Sequence, residues 1–500
     1  MGTGGGGGQL LGIDIGTTGV RGAVIDAHGG VVAEANETCA PDTGAPGIVE
    51  ADAEAWWNAA RTVIGRLAQK AKLARIDGIG VTGQAPTAVL VDAHGHPVRR
   101  AILWLDVRAD AEARALDHAL GPGRAEAIGG NRMHAYYLGP KLAWLRAHEP
   151  EALDRAALVL QSHAFIAMRL TGEAACDPST AMLCAPLFDA RTRTWSTEAA
   201  RAVGVDPRVL PAVARAHDVI GAITREAAAA TGLREGTPVV AGGGDFAASA
   251  LGVGVVDEGE ACLMLGTAGN LLMPIGQPRF DSRLVNSHHV GCDRWLALGG
   301  TLCGAALEWF RGACAPGVDW DTLEQEAREV AVGAGGLLVL PYFQGERTPV
   351  WDARARGVFF GLDMTHTRAH LYRALIEGIA LGFRHCLAIA EELGVRFGEV
   401  LAANGAGRSS VLRQALSDAL GLPVTWIREG GGTVTGAAVL AGLGVGVLEN
   451  ARVARTWPKE LLRHEPDPRA HARLVDVFAR RVSLYAAVRE CFAPPHCPPP

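Results

Sequence analysis

The stretch that decides the fold is Leu10-Leu11-Gly12-Ile13-Asp14-Ile15-Gly16-Thr17-Thr18-Gly19-Val20. One short apolar run, Leu10 to Ile15, meets a second, Val20 to Ile25, across Gly16-Thr17-Thr18-Gly19. Apolar runs on either side of a Gly-Thr turn predict two antiparallel strands joined by a tight turn. The motif returns later: Ala261 to Leu265, then Gly266-Thr267-Ala268-Gly269, then Leu271 to Ile275. One such hairpin opens each half, so a duplicated α/β architecture is expected, with a boundary near residue 250.

Working outward, residues Ala55 to Ala71 place Trp56, Ala60, Val63, Ile64 and Leu67 at helical spacing. Trp56-Trp57 there reads as a core residue beside a surface one. Ile79-Gly80-Val81 and Ala88 to Val91 read as strands, and Val239-Val240-Ala241 as a buried strand running into Gly242-Gly243-Gly244-Asp245. Val339-Leu340 reads as a strand ending at Pro341, and Leu371, Leu375, Ile379 and Phe383 share one helical face. Residues 409–420 predict a helix whose apolar face holds Val411, Leu412, Ala415, Leu416, Ala419 and Leu420, with Gly421 as C-cap and Pro423 beyond it.

The 500 residues suit two or three domains, and 49% hydrophobic with 20% charged residues is an ordinary globular balance. The net charge of −6 and the lack of a dense Lys/Arg run give no footing for a nucleic-acid partner. Ten scattered cysteines without a C-x-x-C pair speak against a zinc site or a disulfide framework. No secretory leader pattern and no apolar run of spanning length are found, so a soluble, cytoplasmic protein without a membrane role is expected. Residues 1–8 read as a disordered Gly-rich tail and 491–500 as a Pro-rich one.

The chemistry is expected at the glycines. A Gly-Thr-Thr turn offers backbone N–H groups and hydroxyls to phosphate oxygens, and Asp14 beside it is placed to hold Mg²⁺ through water. Gly266-Thr267-Ala268-Gly269 is the counterpart turn. The three glycines before Asp245 let backbone approach a ligand, and a carboxylate there can take the proton of a hydroxyl attacking a γ-phosphoryl group. Gly405-Ala406-Gly407-Arg408-Ser409-Ser410 opens a helix, where bare backbone can receive a base or ribose. Gly430 to Gly432 and Gly436-Ala437-Ala438 add small-residue surface. His288-His289 is not read as a metal pair, since strand neighbours point to opposite faces. No P-loop, G-x-S-x-G or H-E-x-x-H motif is found.

Taken in order, GIDIGTTGV (12–20), ILWLDVR (102–108), PKLAWLRAHE (140–149), GGGD (242–245), GTAG (266–269), GERTP (345–349) and ARGVFFGL (355–362) resemble the FGGY carbohydrate kinases of the actin/Hsp70-like ATPase superfamily. The likeness continues through Arg408 to Leu420 and Gly436-Ala437-Ala438, and runs from about Leu10 to Val447. The resemblance implies an α/β fold of two ribonuclease-H-like domains, 9–250 and 251–490, with a cleft between them. It implies an enzyme that transfers phosphate from MgATP to a sugar or polyol, with Asp245 as catalytic base. Asp14, Gly16, Thr17, Thr18 and Arg21 would line the first phosphate loop, and Gly266 and Thr267 the second. Gly304 and Glu308 fall where the family approaches the nucleotide, and Gly405 and Ser409 at its adenosine. Asp14 and Asp245 would hold Mg²⁺. Gln84, Trp104, Asp106, Tyr136 and Asp177 match the sugar side. By the same analogy a homodimer is expected.

Three substitutions depart from the family. Ala85-Pro86 stand where glycerol kinases usually carry Arg-Glu and xylulokinases Met-His, and Phe246 stands where Asn or Gln usually follows the catalytic Asp. All three line the expected substrate pocket and make it less polar, which disfavours glycerol and leaves D-xylulose or a related ketose as the lead. The same substitutions motivate an alternative, a non-catalytic sugar sensor on this fold. Ala406 and Arg408 also depart from the adenosine motif, which should alter the nucleotide's fit. A third reading, an actin- or chaperone-like ATPase, lacks an explanation for residues 102–149.

Overall fold

A computed structural model describes residues 8–45, 47–429 and 431–492 of the chain. Most of both expected tails, and Gly430, lie outside the described residues. The described residues form two compact units, one from Met1–Val256, Asn286–Leu296 and Gly430–Pro458, the other from Asp257–Val285, Ala297–Glu429 and Lys459–Pro500. Two segments from beyond residue 250 therefore lie with the first unit.

The opening hairpin is the centre of the first unit's sheet. β1 (Gln9–Ile15) and β2 (Gly19–Asp26) pair antiparallel from Gln9↔Asp26 to Ile15↔Val20. Gly16 N–H donates to the Gly19 carbonyl at 2.9 Å and closes the turn. β3 (Val31–Thr38) extends the meander antiparallel to β2. On the other side of β1 the direction changes: β4 (Ile76–Gly83) runs parallel to β1, and β5 (Pro238–Val240) and β6 (Gly243–Gly244) run parallel to β4. The order is β3-β2-β1-β4-β5.

β1 is buried along nearly its whole length because both faces are covered. On one face, Leu11, Ile13, Ile15 and Val20 share a core with Trp56, Val63 and Ile64 of helix Ala53–Ala68 and Phe165 and Ile166 of helix Ser162–Thr171. Asp52 caps the former helix by accepting from Glu54 N–H. Trp57, expected at the surface, is buried too; the Arg169 guanidinium lies over its ring at 5.0 Å. On the other face lies helix Thr433–Gly444. A Cβ on Gly12 would overlap the Val434 carbonyl, and one on Gly80 the Ala437 carbonyl. The glycines of β1 and β4 thus let a helix backbone rest directly on the sheet. The same helix meets helix Asp245–Val253 equally closely, since a Cβ on Gly436 would strike the Ala248 carbonyl and one on Gly252 the Gly432 carbonyl. The small residues expected to face a ligand at 436–438 are used here for helix packing.

The second unit repeats the plan. β7 (Glu260–Leu265) and β8 (Ala268–Ile275) form the second hairpin, with β9 (Trp295–Leu302) beside β8. β10 (Glu399–Ala403) runs parallel to β7, and β11 (Val424–Glu429) parallel to β10. The order β9-β8-β7-β10-β11 matches that of the first sheet, so the duplication hinted at by two Gly-Thr turns extends to whole sheets. Helix Ser410–Leu420 ends at Gly421, φ 69°, as its C-cap, as the sequence predicts, while Ser409, expected as its first residue, is its N-cap.

Candidate active site

Strand register assembles the centre of the site. In the parallel pair of β1 and β4, Asp14 stands opposite Thr82, and in the pair of β4 and β6, Thr82 stands opposite Gly243. One row across three strands therefore joins positions 14, 82 and 243. Gly242 makes this possible: its φ is 75°, and a Cβ there would run into the Val81 carbonyl. Two residues past Gly243 the strand gives way to helix Asp245–Val253, whose first residue is Asp245 itself.

The two carboxylates perturb each other. Asp14 is 5% exposed. Burial, then the charge of Asp245, push its carboxyl up to about 8, partly opposed by Arg21 and by a hydrogen bond from Thr82. Arg21 stands opposite Asp14 on β2, with its own side chain exposed. Thr82 Oγ1 lies 3.3 Å from both Asp14 Oδ1 and the Ile13 carbonyl. Burial pushes Asp245 up to about 6, offset by the Phe246 N–H, which donates to Asp245 Oδ1 at 2.7 Å. An acceptor carboxylate at the head of a helix is also favoured by the helix dipole. Such an acidic pair, Asp14 buried and Asp245 half-buried, suits a divalent cation, which would relieve the repulsion.

The Gly16-Thr17-Thr18 turn is braced by its neighbours. Trp104 Nε1 donates to Thr17 Oγ1 at 3.1 Å, Thr17 Oγ1 donates to Gln84 Oε1 at 3.3 Å, and Gln84 Nε2 donates to the Gly16 carbonyl at 3.4 Å. Gln84 and Trp104 are thus tied to the turn. Thr18 is exposed on it. Tyr136 donates its hydroxyl to the Ala85 carbonyl at 3.3 Å and stands edge-on to Trp104, with ring centroids 6.4 Å apart. The backbone behind Tyr136 is held by Lys141, fully buried, whose Nζ donates to the Ala135 and Tyr136 carbonyls at 2.8 and 2.6 Å. Pro86 is buried in the chain between Gln84 and β-bridged Ala88, and Phe246 lies against Gly244.

Asp106 and Asp177 are both fully buried, with different surroundings. Asp106 accepts from Val49 N–H at 2.7 Å and forms a bidentate pair with Arg108, so its oxygens are engaged in bracing the 47–49 loop. Asp177 accepts from Ser179 N–H at 2.8 Å and Thr180 Oγ1 at 2.6 Å. Its Oδ2 lies 3.1 Å from where a Cβ on Gly243 would stand, which places it beside the row of Asp14 and Thr82. Ser179 Oγ in turn accepts from Gly244 N–H at 3.1 Å. Thr82, Lys141 and Ser179 were not singled out in the sequence. Only Thr82 leaves a trace there, as a polar residue closing an apolar strand.

In the second unit, the Gly266-Thr267 turn and the start of helix Gly304–Cys314 are brought together. Gly304 N–H donates to the Gly266 carbonyl at 2.9 Å and Ala305 N–H to the Thr267 carbonyl at 3.1 Å. Glu308, one turn on, is exposed and pairs with Arg311 at 3.2 Å. Gly405 begins a 3₁₀ turn, Gly405–Arg408, with open space where its Cβ would be. Ser409 Oγ accepts from Leu412 N–H and donates to Glu324 Oε1 at 2.6 Å.

Family models match both halves of the chain. The model described as the FGGY family of carbohydrate kinases, N-terminal domain, matches residues 9–252, and that for the C-terminal domain matches 261–445. The xylulose kinase of Escherichia coli (strain K12) is 33% identical, with 97% of this chain and 98% of the relative covered. The gluconokinase of Bacillus subtilis (strain 168) is 27% identical over 91% of each chain. The crystal structure of xylulose kinase from Rhodospirillum rubrum matches with a TM-score of 0.90 at 32% identity, over 97% of this chain and 99% of that one. With both halves matched and such relatives spanning nearly its full length, the chain belongs to the FGGY family of carbohydrate kinases.

Proposed function

We propose that this carbohydrate kinase transfers the γ-phosphoryl group of ATP to a hydroxyl of a sugar or polyol, with D-xylulose or a related ketose as the leading acceptor and Asp245 as the base. The carboxylate pair Asp14 and Asp245 carries the reading. Asp245 Oδ1 is held by the Phe246 N–H, which orients the carboxylate and leaves Oδ2 for the acceptor hydroxyl. Its raised proton affinity makes it a stronger base than an exposed aspartate, while it remains ionised at neutral pH. Asp14 and Asp245 would hold Mg²⁺ through water, and bound Mg²⁺ would neutralise phosphate charge. The braced Gly16-Thr17-Thr18 turn binds phosphate through its backbone, with Arg21 nearby. In the second unit, the Gly266-Thr267 turn with Gly304 and Glu308 serves the nucleotide's phosphates, and the Gly405 to Ser409 segment its adenosine.

Relatives named xylulose kinase and gluconokinase support a ketose or an aldonate as acceptor. Ala85-Pro86 and Phe246 offer no side-chain hydrogen bonds to substrate hydroxyls, and these substitutions are what favour the rival reading, a sugar sensor. A coupled ADP-release assay with MgATP tests both. Pentuloses, hexuloses, alditols and aldonates are compared on wild type and Asp245→Ala. Turnover with one acceptor, lost in the variant, supports the kinase reading. Binding of ATP and sugar without acceptor-dependent ADP release favours the sensor.

A further inference from the structure

One cavity of the first unit enters the reading above only at its edge. It measures about 270 Å³, and its wall includes Asp177, Arg193, Arg215, His217, His288 and Asp293. Asp177 joins it to the reaction centre, because that side chain also stands against Gly243. Gly243 precedes Asp245 by two residues, on the order of 7 Å along an extended chain, and a five- or six-carbon sugar has comparable reach.

The wall is matched to hydroxyl groups. His288 Nδ1 lies 3.0 Å from the His289 carbonyl. A carbonyl only accepts, so Nδ1 carries the proton and Nε2 keeps a lone pair. That lone pair lies 3.4 Å from Asp293 Oδ1, leaving two acceptors side by side. The His217 ring bonds to the Val290 backbone, and its buried Nδ1 finds no partner among the described residues. Burial lowers the proton affinity of both rings, which keeps them neutral. Donors come from Arg193 and Arg215. Their charges are already balanced, Arg193 by Asp293 at 2.6 Å and Arg215 by Asp218 at 2.8 Å, but each guanidinium has N–H groups to spare. A charge-balanced wall of mixed donors and acceptors fits groups that both donate and accept. It fits a phosphate poorly, and among the described residues no group of three or more His, Cys, Asp or Glu side chains is placed to hold a metal ion here.

We infer that this cavity receives the distal hydroxyls of the acceptor, so that the protein selects sugars of five or more carbons hydroxylated at the far end. The assignment of that end as distal rests on the kinase reading; the cavity's affinity for hydroxyls does not. It also accounts for a pocket that has lost polar residues at Ala85, Pro86 and Phe246, since recognition is moved to the opposite end of the sugar.

Calorimetric titration of the full chain without nucleotide, using D-xylulose, D-gluconate and glycerol, separates the two. The longer ligands are expected to bind at least ten-fold more tightly than glycerol. His217→Ala and His288→Ala are expected to weaken the longer ligands about ten-fold. Arg215 is 72% exposed along its side chain, so Arg215→Ala keeps the question open to test if a histidine variant misfolds, and it is expected to weaken them as well. In the ADP-release assay the acceptor KM should rise with little change in the KM for MgATP. Binding that none of the three variants weakens, or no binding of any of the ligands, overturns the inference. Binding weakened by the variants in a protein that phosphorylates no acceptor would uphold the cavity and refute the kinase reading.

Discussion

Replacing Gly436 by alanine tests how the helix that begins at Asp245 is held. Helix Thr433–Gly444 lies backbone to backbone between the sheet and helix Asp245–Val253. A Cβ at 436 would overlap the Ala248 carbonyl, so the helices must part by roughly 1.5 Å to restore ordinary contact. Two effects oppose each other. Alanine in a helix interior gains about 1 kcal/mol over glycine. Overpacking costs about 1–3 kcal/mol, and the upper end applies here because the obstructing atom is backbone rather than a side chain that can rotate. The net loss is about 2 kcal/mol, which lowers the Tm of the affected unit by about 4–8 °C at 2–4 °C per kcal/mol. Since Ala248 lies one turn from Asp245, a shift of this size should also cut kcat by roughly 100-fold. Gly65 is the control. It lies on the exposed side of helix Ala53–Ala68 with open space where its Cβ would be, so Gly65→Ala should raise Tm. Differential scanning calorimetry and the ADP-release assay read both effects. A Gly436→Ala protein as stable and active as Gly65→Ala would refute the close-packing argument.

Further outcomes follow from single groups. Asp245 is pushed up to about 6 and must be ionised to accept a proton, so kcat/KM should fall as pH drops through that value; a flat profile from pH 7.5 to 5 would remove it as the base. Asp14 is raised to about 8 without a cation, and protons compete with metal for a carboxylate, so the apparent Mg²⁺ affinity should strengthen between pH 6.5 and 8 in a metal titration. Lys141→Met strips two buried carbonyls of their donor, at about 1–3 kcal/mol each; Tm should drop and the acceptor KM should rise as the backbone of Tyr136 loosens, and an unchanged Tm would count against that brace. Ser409→Ala removes the cap of helix Ser410–Leu420 and the bond to Glu324, so Tm should fall by about 2–4 °C for a loss near 1 kcal/mol, measurable by calorimetry.

The hairpins, the capped helix at 410–420 and the duplication were legible in the sequence, because each rests on local signals: short apolar runs, turn glycines and helix caps. Asp14 and Asp245 stood out in the sequence as candidates, since a lone acidic residue near the end of an apolar run is conspicuous. Their juxtaposition did not. It depends on the register of strands begun at residues 9, 76 and 243, and register is set by pairing between segments far apart in the chain.

The glycines divide the same way. Gly16 and Gly421 announce a turn and a cap on their own, whereas Gly12, Gly80, Gly252 and Gly436 have a role only once the opposing backbone is in place. Tertiary structure also decided what the polar side chains are for. Gln84, Trp104 and Asp106 bond to neighbouring turns, and His217 and His288 meet in one cavity wall. A sequence fixes which groups can bond and how each short segment prefers to fold; which partner a group finds is settled by packing, because only packing brings residues distant in the chain within a few ångströms of one another.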